Sequence, residues 1–173
     1  MKPCFVKIPA AVAAFLLIVL LSGCIKDRQE TGAGLRPGDK LPEFSASCSD
    51  GTTVNVPKDL AGKVSCIVLF NTSCPDCREE LPVIQELHDL CPEVSILLVS
   101  REEEASTIEE FWREAGLSMP YSAQKDRKIY NLFATSLIPR TYIADKSGTI
   151  RYVHTDNPVP SLDTLLEEAR GEQ

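Results

Sequence analysis

Histidine and basic residues are both scarce in this sequence, and each scarcity excludes something. The chain has two histidines in 173 residues. A structural zinc site needs four ligands, usually two close pairs of cysteine or histidine. Beside Cys74 and Cys77 no second such pair occurs, so a zinc site is not expected, and His88 and His154 read as surface or ordinary structural side chains. There are 18 lysines and arginines against 25 acids, a net charge of −7. A chain with this balance lacks the basic surface that nucleic acid or anionic lipid headgroups require. No internal repeat or low-complexity segment appears, which excludes solenoid architectures. The longest apolar run, IPAAVAAFLLIVLL at residues 8–21, is too short to span a bilayer comfortably.

That run has the length of a signal-peptide core, and Lys2 and Lys7 precede it. It ends in LSGC, Leu21 to Cys24, which resembles the bacterial lipoprotein lipobox. The resemblance implies cleavage before Cys24 and attachment of a lipid to its sulfur, giving a protein tethered to a membrane without spanning it. Residues 1–23 are thus expected to be a lipoprotein signal peptide. Residues 24–40, polar with Gly and Pro, are expected to be a lipidated flexible tether, and residues 41–173 the folded domain. Loss of Lys2 and Lys7 leaves 16 bases against 25 acids, or −9, in the mature chain.

Within 41–173 the pattern alternates. EFSASCSDGTTVNV, residues 43–56, has two short alternating runs about Asp50-Gly51, a hairpin signal. KVSCIVLFN is continuously apolar and β-branched, as a central strand covered on both faces should be. A helix is predicted from Pro75 to about Asp89, with Pro82 inside it. A second buried strand, EVSILLVS, follows, and then a helix in EEASTIEEFWREAG that stops at Gly116. REEEASTIEE reads as a solvated helix face, and Phe111 and Trp112, at helical spacing with Ile108 and Ala115, as core. DRKIYNLFAT predicts a short helix, RTYIADKSGTIRYVH a hairpin turning at 146–148, and SLDTLLEEAR a final helix capped by Ser161. The order predicts a three-layer α/β fold with a mixed central sheet and an N-terminal β-hairpin extension.

The chemistry is expected in LFNTSCPDCREELP, residues 69–82. Cys74 falls between a strand and a helix, at the N-cap, where free N–H groups and the helix dipole stabilise a thiolate. Pro75 at N1 is compatible with this, and Cys77 lies one turn further on. A redox pair and a fixed structural disulfide both remain open on spacing alone. Glu80 shares the helix face of Cys77, three residues away, whereas Glu79 does not. A poorly solvated carboxylate there can accept the Cys77 proton. Of the other cysteines, Cys4 goes with the signal segment. Cys66 reads as a small buried hydrophobe, and Cys48 and Cys91 allow at most one further bridge among the three.

A strand, then Cys74-Pro75-Asp76-Cys77 opening a helix, then Ile138-Pro139 before a hairpin resembles the thioredoxin superfamily over nearly all of residues 38–170. The N-terminal hairpin, Gly62-Lys63, CREELP and the lipoprotein signature resemble its membrane-tethered thiol–disulfide oxidoreductases. These are related to cytochrome maturation proteins and are often grouped as alkyl hydroperoxide reductase/thiol-specific antioxidant proteins. The resemblance implies that Cys74 attacks, that Cys77 resolves the mixed disulfide, and that Glu80 is the acid near the resolving thiol. It also implies a cis-proline at Pro139, and a backbone at Ile138 that binds an extended substrate segment.

The implied activity is exchange with protein thiols and disulfides from a lipid anchor in the bacterial envelope, with the domain in the periplasm. A membrane electron donor would restore the dithiol, and no cofactor beyond the Cys74–Cys77 disulfide is implied. Two departures bear on it. The family usually carries tryptophan before the first cysteine, where this chain has Ser73. Asp76 adds a negative charge that opposes the Cys74 thiolate, against the helix dipole, and favours a reducing couple. The alternatives are a peroxiredoxin-like peroxide reductase, which needs a proline and threonine upstream of its cysteine and an arginine nearby, and a non-catalytic scaffold lipoprotein with a fixed disulfide.

Overall fold

The structure is a computed structural model that describes residues 34–156 and 158–172. The expected signal segment, Cys24 and most of the expected tether lie outside the described residues.

The hairpin forms as two short strands, β1 (Phe44–Ser47) and β2 (Thr53–Val56), paired antiparallel. The fully buried apolar stretch becomes β3 (Ser65–Phe70). It is followed by α1 (Pro75–Leu90), β4 (Ser95–Ser100) and α2 (Ala105–Ala115), the last ended by Gly116 at a φ of 68°. A two-residue strand that the sequence pattern does not announce, β5 (Tyr121–Ser122), comes next. The chain closes with α3 (Tyr130–Phe133), β6 (Arg140–Ala144), β7 (Ile150–His154) and α4 (Leu162–Gly171). Ser161 caps α4 through a hydrogen bond from the Thr164 N–H.

The main sheet has the order β5-β4-β3-β6-β7. β3, β4 and β5 run parallel, and β6 and β7 are antiparallel additions, so the sheet is mixed. Helix α1 packs against α4 and meets α2 through the Arg78 guanidinium, 4.7 Å from the Phe111 ring centroid. Phe70 of β3 reaches Trp112 of α2 on this side. On the other face Tyr142 of β6 packs on Phe133 of α3, which packs in turn on Phe44 of the hairpin. Three layers result, a thioredoxin-like arrangement. The parity of the strands separates the two cores: Thr141 faces α1 and Tyr142 faces α3.

Of the stretch 24–40 expected to be a flexible tether, residues 34–40 are instead bonded to the domain. The N–H of Leu35 donates to the Phe133 carbonyl at 2.7 Å, and Gly38 and Asp39 exchange hydrogen bonds with Ile150. Gly34 sits so close to α3 that a Cβ there would meet the Phe133 carbonyl oxygen at 2.7 Å. Gly and Pro in this stretch serve a tight path along the domain, a role composition alone does not separate from flexibility.

Candidate active site

The carboxyl ends of β3 and β4 open toward one end of the sheet, the usual ligand-facing end of a parallel array. Three short segments meet there: Asn71–Cys74 after β3, Arg101–Glu103 after β4, and Thr135–Pro139 before β6.

Cys74 is the N-cap of α1, with extended backbone angles (φ −83°, ψ 122°), and Pro75 occupies the first helical turn. It is half-buried, whereas Cys77 is fully buried one turn into the helix. Both are free thiols in this structure. The Cys74 Sγ–H points at the Ile138 carbonyl at 3.5 Å. The Ile138–Pro139 peptide is cis, and both residues are buried. The sequence pattern thus brings Cys74, Cys77, Ile138 and Pro139 to one place.

Burial pushes the Cys77 thiol up, partly offset by the backbone N–H of Asn71, with Cys74 and Glu80 adding to the rise. Glu80 is 1% exposed, while Glu79 lies on the solvent side of the helix, as the helical spacing requires. Its Oε1 accepts from the Thr141 hydroxyl at 2.6 Å, and its Oε2 has no hydrogen-bond partner. Desolvation therefore raises this carboxyl to about 7, with the Thr141 hydrogen bond working the other way. At neutral pH such a group both takes and gives a proton readily.

The loop that carries Ile138 is pinned by its carbonyls. Arg127 Nη2 donates to the Thr135 carbonyl (3.1 Å), Arg140 Nε to that of Ser136 (3.0 Å) and the Tyr130 hydroxyl to that of Leu137 (2.8 Å). Leu137 adopts a φ of 69°, a region that leucine rarely enters, and is exposed. The pinned carbonyls hold it there.

Sequence reasoning missed the segment after β4, Arg101–Glu103. Glu103, read with its neighbours as solvated, is 6% exposed, and both its carboxylate oxygens accept from the Thr72 N–H, at 3.0 and 3.2 Å. Thr72 Oγ1 donates to the same carboxylate. A run of three glutamates carries no signal that the middle one turns inward. The turn depends on Glu102 at a φ of 54°. The histidines are structural: His88 Nδ1 lies 3.1 Å from the Asp89 carboxylate, and His154 Nε2 2.7 Å from that of Glu168. Cys48, Cys66 and Cys91 are free, and among the described residues no group of His, Cys, Asp and Glu is disposed to hold a metal.

The model of the AhpC/TSA family matches residues 37–153. The chain belongs to this family. Among curated members, the thiol-disulfide oxidoreductase ResA of Bacillus thuringiensis (strain Al Hakam) is 26% identical over 133 residues, 76% of this chain and 74% of that protein. ResA of Geobacillus thermodenitrificans (strain NG80-2) is 27% identical over 120 residues, 68% of each. Among solved structures, a thioredoxin-family thiol:disulfide interchange protein from Chlorobium tepidum TLS superposes with a TM-score of 0.68 at 20% identity, covering 81% of this chain and 99% of that one. StoA from Bacillus subtilis gives 0.63 at 19% identity, covering 76% and 98%. These superpositions speak for the thioredoxin fold. Together with the cysteine pair and the ResA relatives, the family member described here is a thioredoxin-superfamily enzyme of thiol–disulfide exchange.

Proposed function

We propose that this family member reduces protein disulfides at the periplasmic side of a bacterial membrane, to which a lipid on Cys24 tethers it. The observation that carries the proposal is the asymmetry of the pair: Cys74 is half-buried at the N-cap and its sulfur touches the Ile138 carbonyl, while Cys77 is sealed beneath it. In this reading the Cys74 thiolate attacks one sulfur of a substrate disulfide. The substrate S–S bond breaks, its other sulfur leaves as a thiolate and takes a proton, and a mixed disulfide remains.

Cys77 then gives its proton to the Glu80 carboxylate and attacks Cys74 Sγ. The second substrate sulfur leaves, and the Cys74–Cys77 disulfide holds the two electrons' worth of oxidation. Ile138 and Pro139 line the place where an extended substrate segment lies, and a membrane dithiol donor resets the pair. The peroxide-reducing alternative is disfavoured because the Thr72 hydroxyl, the nearest upstream threonine, is already donated to Glu103.

The test is a redox titration of the detergent-solubilised full chain against defined dithiothreitol ratios, with thiol trapping of Cys74 and Cys77. A reversible two-electron couple near about −270 mV supports a reductase, and one near about −120 mV reverses the direction. A pair that does not exchange, with Cys74→Ser indistinguishable from the parent in insulin reduction, favours the scaffold. Incorporation of labelled fatty acid that Cys24→Ala abolishes tests the anchor.

A further inference from the structure

We infer that Glu103 is a positioning residue for the dithiol. This rests on the proposed role of Cys74 as the attacking thiol. The segment Asn71–Ser73 sets the direction in which Cys74 leaves β3, and it has no ladder of its own to hold it. Its constraints come from the neighbouring segment after β4. Glu103 takes both the N–H and the hydroxyl of Thr72. The Asn71 amide donates to the Arg101 carbonyl at 2.8 Å, and the Arg101 N–H returns to the Phe70 carbonyl at 2.8 Å.

Asn71 in turn touches the pair from two sides. Its carbonyl accepts from the Cys74 N–H at 3.0 Å, and its N–H counters the rise that burial gives the Cys77 thiol. Its side-chain oxygen also accepts from the Ser73 N–H at 2.9 Å. A shift of Thr72 therefore moves Asn71, and with it the donor on Cys77 and the acceptor on Cys74.

Glu103 itself is anchored. Its N–H donates to the Gln124 carbonyl at 2.9 Å, and the Gln124 N–H donates to Ser100 Oγ at 2.8 Å. A carboxylate this buried is costly unless several donors surround it. Here the donors belong to the residue two positions before the nucleophile. The arrangement is preorganisation: a rigid strand end aims the reacting sulfur through a hydrogen-bonded intermediary.

The test compares Glu103→Ala, Glu103→Gln and Thr72→Val in the full chain, read by the rate of iodoacetamide alkylation localised to Cys74 across pH, and by the reduction potential of the pair. Glu103→Gln keeps an oxygen that accepts from the Thr72 N–H; Glu103→Ala does not. The expected result is an alkylation rate about tenfold lower in Glu103→Ala with a shifted potential, recovery to within about twofold in Glu103→Gln, and a smaller loss in Thr72→Val. Parent-like alkylation and potential in Glu103→Ala overturn the inference, as does a Glu103→Gln rate as low as that of Glu103→Ala. If Glu103→Ala does not fold, Thr72→Val decides: a parent-like rate and potential overturn the inference, and a loss in both supports it. Failure of the parent to reduce insulin strikes at the proposed function alone, because alkylation of Cys74 still reads its positioning.

Discussion

Two buried glutamates stand at the two sides of the dithiol, and their surroundings are opposite. Glu80, beneath it in the packed face of α1, has one hydroxyl donor and one oxygen with none. Glu103, beside it at the end of β4, is met by a backbone N–H and a hydroxyl from Thr72. The difference lies in what each helix or loop brings near. Between α1 and the sheet the one donor to Glu80 is the hydroxyl of Thr141 on β6, so the carboxyl is left short of donors and holds its proton up to about 7. The loop side offers donors, so the carboxylate there acts as a fixed hydrogen-bond acceptor. In the proposed mechanism the same side chain is a proton carrier in one place and a fastener in the other.

The sharpest way to break the contrast is Glu80→Gln, which removes the proposed proton acceptor and keeps the volume. Resolution of the mixed disulfide is expected to slow by about 10²-fold, with the Cys74-linked intermediate accumulating on a quenched non-reducing gel. An unchanged rate would mean that Cys77 loses its proton to another group.

The same variant should gain stability. Glu80 is raised from an ordinary 4.5 to about 7, so between those values the native chain binds more protons than the unfolded one. Its stability therefore falls as pH rises through that window and stays reduced above it. Glu80→Gln, neutral throughout, should exceed the parent by about 2 kcal/mol at pH 8 and differ little from it at pH 4. Urea denaturation at the two pH values measures this. Equal gains at both would remove the desolvation argument.

A milder perturbation is Thr141→Val, which takes away the donor that restrains the rise of Glu80. Its carboxyl should then titrate above about 7, moving the acidic limb of the pH–rate profile upward, with a change in rate of about threefold. A limb that does not move argues that Glu80 is not the titrating group.

The smallest effect is expected from Ser73→Trp. Ser73 is exposed and its N–H bonds to the Asn71 side chain, so an aromatic ring there adds surface around the substrate and leaves both carboxyls undisturbed. KM for a protein disulfide should shift by about threefold or less, with kcat unchanged. A larger fall in kcat would show that the Asn71–Ser73 turn depends on the serine hydroxyl as well.

Much of this arrangement was legible in the chain. The continuous apolar stretch at β3, the N-cap cysteine before Pro75, Gly116 after the α2 pattern and Ser161 before α4 each follow from local rules, and the structure has them where those rules put them. Glu80 was separable from Glu79 by helix geometry. Strand β5 was not, because two residues carry no period. The docking of residues 34–40 was not, because Gly and Pro read alike in a tether and in a tight path. Glu103 was not, since its burial follows from a backbone turn at Glu102 and from the approach of two segments about thirty positions apart.

What the sequence by itself determined is most of the elements and the position of the cysteine pair at the start of a helix. Periodicity, caps and a Cys-x-x-Cys at a helix start are properties of neighbours along the chain, and water and the backbone enforce them locally. What only the tertiary structure decided is the environment of each acid: the unpartnered oxygen of Glu80, the occupied oxygens of Glu103, and the carbonyl of Ile138 against Cys74. Those depend on which strands lie side by side, and a carboxyl's proton affinity is set by the dielectric and donors around it, not by its place in the chain.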